Sequence, residues 1–132
     1  MEKVYAPLSA EEEGIGRVVW ASAFAVHTAL GPGLLESVYE ACLCHELAKR
    51  GLRPCRQVAV PIVYDGMKFD EGLRLDVLVN NLVICELKAV EQLLPVHEAQ
   101  LLTQLKLTGK RLGFLINFNV PLIRNGIKRF IV

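Results

Sequence analysis

No apolar run in this 132-residue chain reaches the ~18 residues that a membrane-crossing helix needs, which argues against a helical span. The opening residues, MEKVYAPLSAEEE, lack the basic-then-apolar layout of a secretory signal, so a cytoplasmic location is expected. Neither sign of charge is in excess. The net charge is +1, which by itself argues neither for nor against a polyanionic partner. No repeat, low-complexity tract or linker interrupts the chain, so one domain over residues 1–132 is expected. The four cysteines, Cys42, Cys44, Cys55 and Cys85, are joined by no second close pair or histidine cluster that would complete a zinc pattern. They read as reduced, apolar fillers.

What is present in quantity is apolar. Hydrophobic residues make up 52% of the chain against 22% charged, which excludes disorder as the default state. A mean hydropathy of +0.35 is more than one small core readily hides, so self-association, as a dimer, is expected. The basic residues gather in three groups: Lys49, Arg50, Arg53 and Arg56; Lys106, Lys110 and Arg111; Arg124, Lys128 and Arg129. These groups form either a phosphate-facing stripe or ordinary solvated helix ends and loops.

Ser9 followed by Glu12 marks a capping box, and Ile15, Val18, Val19, Ser22, Ala23 and Val26 recur at helical spacing to about Leu30. The GPG at 31–33 ends that helix. A second helix is expected from Leu34 to Arg50, stopped by Gly51. Val58, Val60 and Ile62 alternate as a strand that turns at Asp65-Gly66, with Pro61 placing it at an edge or a bulge. Strands at about 73–79 and 83–89 follow, then a helix from Pro95 to Gly109, a strand at 111–120 and a last one at 127–132. The order predicts an α/β fold: a mixed central sheet flanked by helices.

The segment RLDVLVNNLVICELKAV carries Asp76, Glu86 and Lys88 inside its hydrophobic runs. Alternation puts Glu86 and Lys88 on one strand face, roughly 7 Å apart. Charges in such a place cost several kcal/mol each unless paired or used. An ion-paired surface patch would explain them. So would a cleft in which two carboxylates hold a hard divalent cation beside an ammonium, the chemistry of phosphodiester hydrolysis. Asp76 and Glu86 lie symmetrically about Asn81. A two-residue Asn80-Asn81 turn would therefore throw them onto opposite faces, whereas a three-residue loop centred on Asn81 brings them together.

Asp76 with Glu86-Leu87-Lys88, following a helix that carries Glu36, resembles the PD-(D/E)XK phosphodiesterase superfamily. More narrowly, GLLESVYE at 33–40 is similar to the GxxExxY pattern, as Gly33, Glu36 and Tyr39. CELKAVEQLLPVHEAQLLTQLKLTG and LGFLINFNVPLI resemble later blocks of that family, so the likeness runs from about Gly14 to the end. It implies the restriction-endonuclease-like core preceded by an extra N-terminal helix. It also implies that Asp76, Glu86 and the Leu87 carbonyl ligate Mg²⁺ or Mn²⁺, that Lys88 positions or helps deprotonate the attacking water, and that Glu36 reaches the same cleft. Acids also favour the first turn of any helix through its dipole, and Tyr39 also suits plain core packing. Gln100 is expected to point toward Lys88, with His97 and Gln104 on its stripe. Where related nucleases often have a tyrosine four residues after that glutamine, this chain has Gln104.

The leading expectation is a Mg²⁺-dependent nuclease acting on DNA rather than RNA. The alternatives are a non-catalytic nucleic-acid- or protein-binding module on the same fold, and a purely structural oligomer.

Overall fold

A computed structural model describes residues 5–132. Helix α1 spans Ala10–Leu30 and begins in the expected box: the Ser9 hydroxyl accepts from the Glu12 amide at 3.0 Å, and the Glu12 carboxylate accepts from the Ser9 amide at 2.9 Å. Its buried stripe includes Ile15, Val19, Ala23 and Val26. Buried His27 ends it with Nε2 2.7 Å from the Val120 carbonyl oxygen.

Helix α2 (Glu36–Lys49) starts two residues later than periodicity suggested, because Leu35 is an extended N-cap with no side chain to offer. The link between the helices is held by Tyr39 instead. Its hydroxyl donates to the Gly31 carbonyl at 2.6 Å and accepts from the Leu34 amide at 3.1 Å, while its ring stacks on Phe118 with centroids 4.6 Å apart. Gly33, at φ +99°, supplies the backbone conformation that this bend needs.

Five strands follow: β1 (Pro54–Tyr64), β2 (Met67–Val79), β3 (Val83–Lys88), β4 (Leu112–Asn117) and β5 (Ile127–Ile131), with α3 (Pro95–Thr108) between β3 and β4. They pair in chain order. β1 to β3 form an antiparallel meander, β3 and β4 are parallel across the α3 crossover, and β5 closes antiparallel to β4. The sheet is therefore mixed, as expected. One face lies under α1 and α2 and packs Val77, Val79, Val83, Cys85 and Leu87 with Tyr39 and Leu43. The other lies under α3 and packs Leu75, Leu78 and Ile84 with Leu101 and Leu105. No helix among the described residues is long and apolar enough to cross a membrane.

β2 and β4 have boundaries that differ from the sequence reading, while α3 keeps the expected one. β2 begins at Met67 rather than near 73, so β1 and β2 form a long ribbon. Its register shifts beside Pro61, where one β1 residue stands against Asp70, Glu71 and Gly72. Gly72 is required there: a Cβ would sit 2.4 Å from the Val60 carbonyl oxygen. β4 ends at Asn117 because the chain turns through a short 3₁₀ segment, Ile123–Asn125, before β5. α3 starts at Pro95 and stops at Gly109, which is left-handed at φ +70°. Of the cysteines, all free, Cys44 and Cys85 are buried fillers, but Cys55 is exposed because it faces outward at the root of the ribbon.

Candidate metal and catalytic site

The β2–β3 loop decides whether the two acids meet. Val79 pairs with Val83, so the loop is the three residues Asn80 to Leu82. Asn80 and Asn81 both take positive φ, 52° and 56°, which asparagine tolerates at small cost. The register continues through Leu78–Ile84 and Val77–Cys85, bringing Asp76 up to Glu86 on the neighbouring strand. The strands part there. Instead of a ladder bond, the Leu87 amide donates to Asp76 Oδ2 at 2.9 Å. The shared placement expected from the odd-length loop is the one observed.

Plain alternation does not persist through Asp76. Val77 and Val79 pack under α1 and α2, yet Leu75, two residues from Val77, packs under α3. The faces exchange at Asp76, and the residue facing it across the ribbon, Gln57, has φ +52°. A positive φ in a non-glycine strand residue costs ~1 kcal/mol or more, so its surroundings must hold it. They do so through Glu40, on the second turn of α2, which is buried. Glu40 accepts from Gln57 Nε2 at 2.9 Å and from Arg56 Nε at 3.0 Å, and Gln57 Nε2 lies 3.5 Å from Asp76 Oδ1. Glu40 thereby braces Gln57, and through it Asp76. Gln57 itself was missed, since only the β1–β2 register reveals it.

Glu86 is 7% exposed and is held from both sides. Its Oε2 accepts from Gln104 Nε2 at 2.7 Å, and its Oε1 lies 3.7 Å from Lys88 Nζ. Burial, then the Asp76 charge, push its carboxyl up from 4.5 to about 7, against the opposing effects of the Gln104 hydrogen bond and Lys88. One ammonium at 3.7 Å therefore leaves the pair of acids short of positive charge.

Glu36 approaches from the first residue of α2. Burial and then Asp76 raise its pKa, and Lys88 lowers it, so it feels the same cleft. It is exposed, and among the described residues no three His, Cys, Asp or Glu side chains stand close enough to hold an ion together. The side chains that could hold an ion directly are thus Asp76 and Glu86. Two carboxylates, an all-oxygen set lacking cationic compensation, fit a hard divalent cation that keeps several waters, such as Mg²⁺ or Mn²⁺.

Gln104, expected only to support, touches Glu86 directly, and its own Oε1 is buried without a hydrogen-bond partner among the described residues. Gln100 is exposed, and its side chain makes no hydrogen bond among the described residues. With Leu73, Val96, Ala99, Thr103, Gln104 and Glu86 it lines an open groove of about 470 Å³. His97 Nδ1 accepts from the Leu94 amide at 3.0 Å and so caps α3. Tyr39 acts through the loop that it clamps, ahead of Glu36.

The first and third basic groups are partly ion-paired within the fold. Lys49 and Arg50 pair with Glu46, Arg56 with Glu40, Lys128 with Glu98 and Arg129 with Glu13. Arg111 donates to the Pro7 carbonyl at 2.9 Å and to that of Val132 at 3.2 Å. Of those groups, Arg53, Lys106, Lys110, Arg111 and Arg124 make no ion pair among the described residues, so the second group, Lys106, Lys110 and Arg111, keeps its charge uncompensated.

A family model for the PD-(D/E)XK nuclease superfamily matches residues 13–130. No curated protein and no solved structure is matched.

Proposed function

Because the chain belongs to the PD-(D/E)XK nuclease superfamily, whose nucleases generally use divalent metals on nucleic acid, we propose that it is a Mg²⁺- or Mn²⁺-dependent nuclease cutting DNA. The whole chain acts as one such domain, of the GxxExxY type and cytoplasmic, with Gly33, Glu36 and Tyr39 as its signature. The observation that carries the reading is the convergence of Asp76 and Glu86 across the three-residue loop, with Lys88 at 3.7 Å from Glu86.

Asp76 and Glu86, with the Leu87 carbonyl, would hold the cation, which when bound neutralises charge developing on a phosphoryl oxygen. The chain's own residues do the rest. Lys88 orients the attacking water and stabilises the negative charge formed as its proton leaves. Gln104 fixes the Glu86 carboxylate in one rotamer. The Leu87 amide and Gln57 fix Asp76. Glu36, exposed at the rim, is placed to meet water or a second cation on the solvent side. Gln100 lines the groove in which the nucleic acid lies.

The test is cleavage. Purified protein with Mg²⁺ or Mn²⁺ is expected to cut DNA, and Glu86→Ala or Lys88→Ala to remove at least ~10²-fold of the rate while the fold persists. Failure on every DNA and RNA form under both metals would remove the enzymatic reading. The small size and the net charge of +1 favour a second reading, a binding module without catalysis. That module would keep its affinity for nucleic acid or a protein partner in Glu86→Gln.

A further inference from the structure

Helix α3 covers the inner end of β2, where Leu75 and Leu78 pack with Leu101 and Leu105. Farther along, between Leu73 of β2 and the first half of α3, the face stays open as the groove of about 470 Å³ beside Glu86. Its size falls within the ~300–1,000 Å³ of small-molecule sites. Leu73 forms one wall, Val96 and Ala99 the other, and the lining is mainly apolar. Among the described residues no lysine or arginine lines it, and the only ionisable side chain there is Glu86. A phosphate is unwelcome in such a place, whereas an uncharged flat ring is not. Two amides complete the lining. Gln100 is exposed, with its side chain free of hydrogen bonds among the described residues. Gln104, only 8% exposed, spends Nε2 on Glu86 and leaves Oε1 buried with no hydrogen-bond partner among those residues. An acceptor held that way is costly until a donor reaches it.

We infer that this groove receives a nucleobase of an unpaired strand, so that the substrate class is single-stranded DNA, or DNA unpaired at the cut, rather than intact duplex. The inference rests on the nuclease reading and deepens it. Glu86 belongs both to the candidate cation site and to the groove lining, so a strand with its phosphate at the cation has a base beside Leu73 and Val96. In a duplex that base is stacked and paired, and entry costs its unpairing; an unpaired base enters without that cost. The apolar walls take the faces of the ring, as apolar side chains do for extruded bases. Gln104 Oε1 accepts an N–H from the base edge, and the free Gln100 amide offers a donor and an acceptor. Every base carries an N–H, as an exocyclic amine or a ring imide, so the groove selects for the presence of a base and not for its identity. It offers none of the cations by which a duplex backbone is held.

Fluorescence anisotropy of short DNA probes in Ca²⁺, with cleavage rates in Mn²⁺, tests it on the full chain. Wild type is expected to bind a single-stranded probe at least ~10-fold more tightly than the blunt duplex of the same sequence, and to cut it faster by a similar factor. Ala99→Phe fills the groove from an exposed helix position. It is expected to lower single-strand binding and cutting to the duplex level, while Mn²⁺ affinity, read by calorimetry, stays that of wild type. If that variant fails to fold, Val96→Glu, at a 53% exposed position, is expected to do the same. Equal binding of the two forms, tighter binding of the duplex, or a preference that survives a folded groove variant overturns the inference and leaves the nuclease reading standing. If no nucleic acid is cut, the nuclease reading falls instead, and the binding preference with its loss in Ala99→Phe still decides the groove.

Discussion

Replacing Glu86 with glutamine is expected to stabilise the metal-free protein at pH 8 while ending its response to metal. The carboxyl is held at about 7 in the folded chain against 4.5 otherwise, a gap worth ~3 kcal/mol at most and ~2 kcal/mol once residual water in the groove is allowed for. Because the folded-state value is raised, this contribution is fully present below pH 4.5 and is lost as pH rises through about 7. Wild type therefore loses stability over that window. Glutamine preserves the size, can still accept from Gln104 through its carbonyl oxygen, and offers its amide toward Asp76 where a second negative charge stood. Urea denaturation of both proteins in chelator, from pH 4.5 to 8, reads the difference directly, and effects of other groups such as Glu46 cancel in it. The variant should gain ~2 kcal/mol on wild type across that range. Added Mg²⁺ at a hundred times its Kd should then return ~2.7 kcal/mol to wild type at pH 8 and nothing to the variant. A stability difference that stays flat with pH would refute the claim that burial and Asp76 strain this carboxyl.

Gln57→Ala should weaken Mn²⁺ affinity ~10-fold, as loss of a group that braces a metal ligand does, and cost ~1–2 kcal/mol in urea denaturation because buried Glu40 loses a donor; calorimetry decides the first. Equal affinity would reduce the Glu40–Gln57–Asp76 chain to packing. Tyr39→Phe keeps the stack on Phe118 but frees Gly31 and Leu34, and should cost ~1 kcal/mol in urea denaturation and lower the cleavage rate through Glu36. A cleavage defect without any loss of stability would contradict the clamp. Gly72→Ala forces a Cβ against the Val60 carbonyl and should raise hydrogen exchange throughout the outer ribbon while leaving β3 and β4 protected.

The helices and inner strands were legible because their signals are local. Ser9 and Glu12 announced α1, Pro95 and Gly109 bracketed α3, and a shared site for Asp76 and Glu86, symmetric about Asn81, called for an odd-length loop, such as the three residues found, or a bulge. What escaped depends on pairing between distant segments. The first half of β2 is mostly exposed and holds a bulge, so it lacks clean alternation. The exchange of faces at Asp76 appears only once Gln57 is seen across from it. Gln104 stood at a position where its family resemblance pointed to a different residue, and only packing of α3 on β3 revealed its bond to Glu86. The basic groups could be read either as a phosphate stripe or as solvated ends because sequence shows cations without their partners; Glu13, Glu40, Glu46 and Glu98 pair half of them in the fold.

Calorimetric titration of Mn²⁺ into wild type, Asp76→Ala and Glu86→Ala goes straight to the cation that two converging carboxylates are said to hold. Saturable binding to wild type, abolished in both variants while their folds persist, is the predicted result. Binding that is missing from wild type, or that survives loss of either acid, contradicts it.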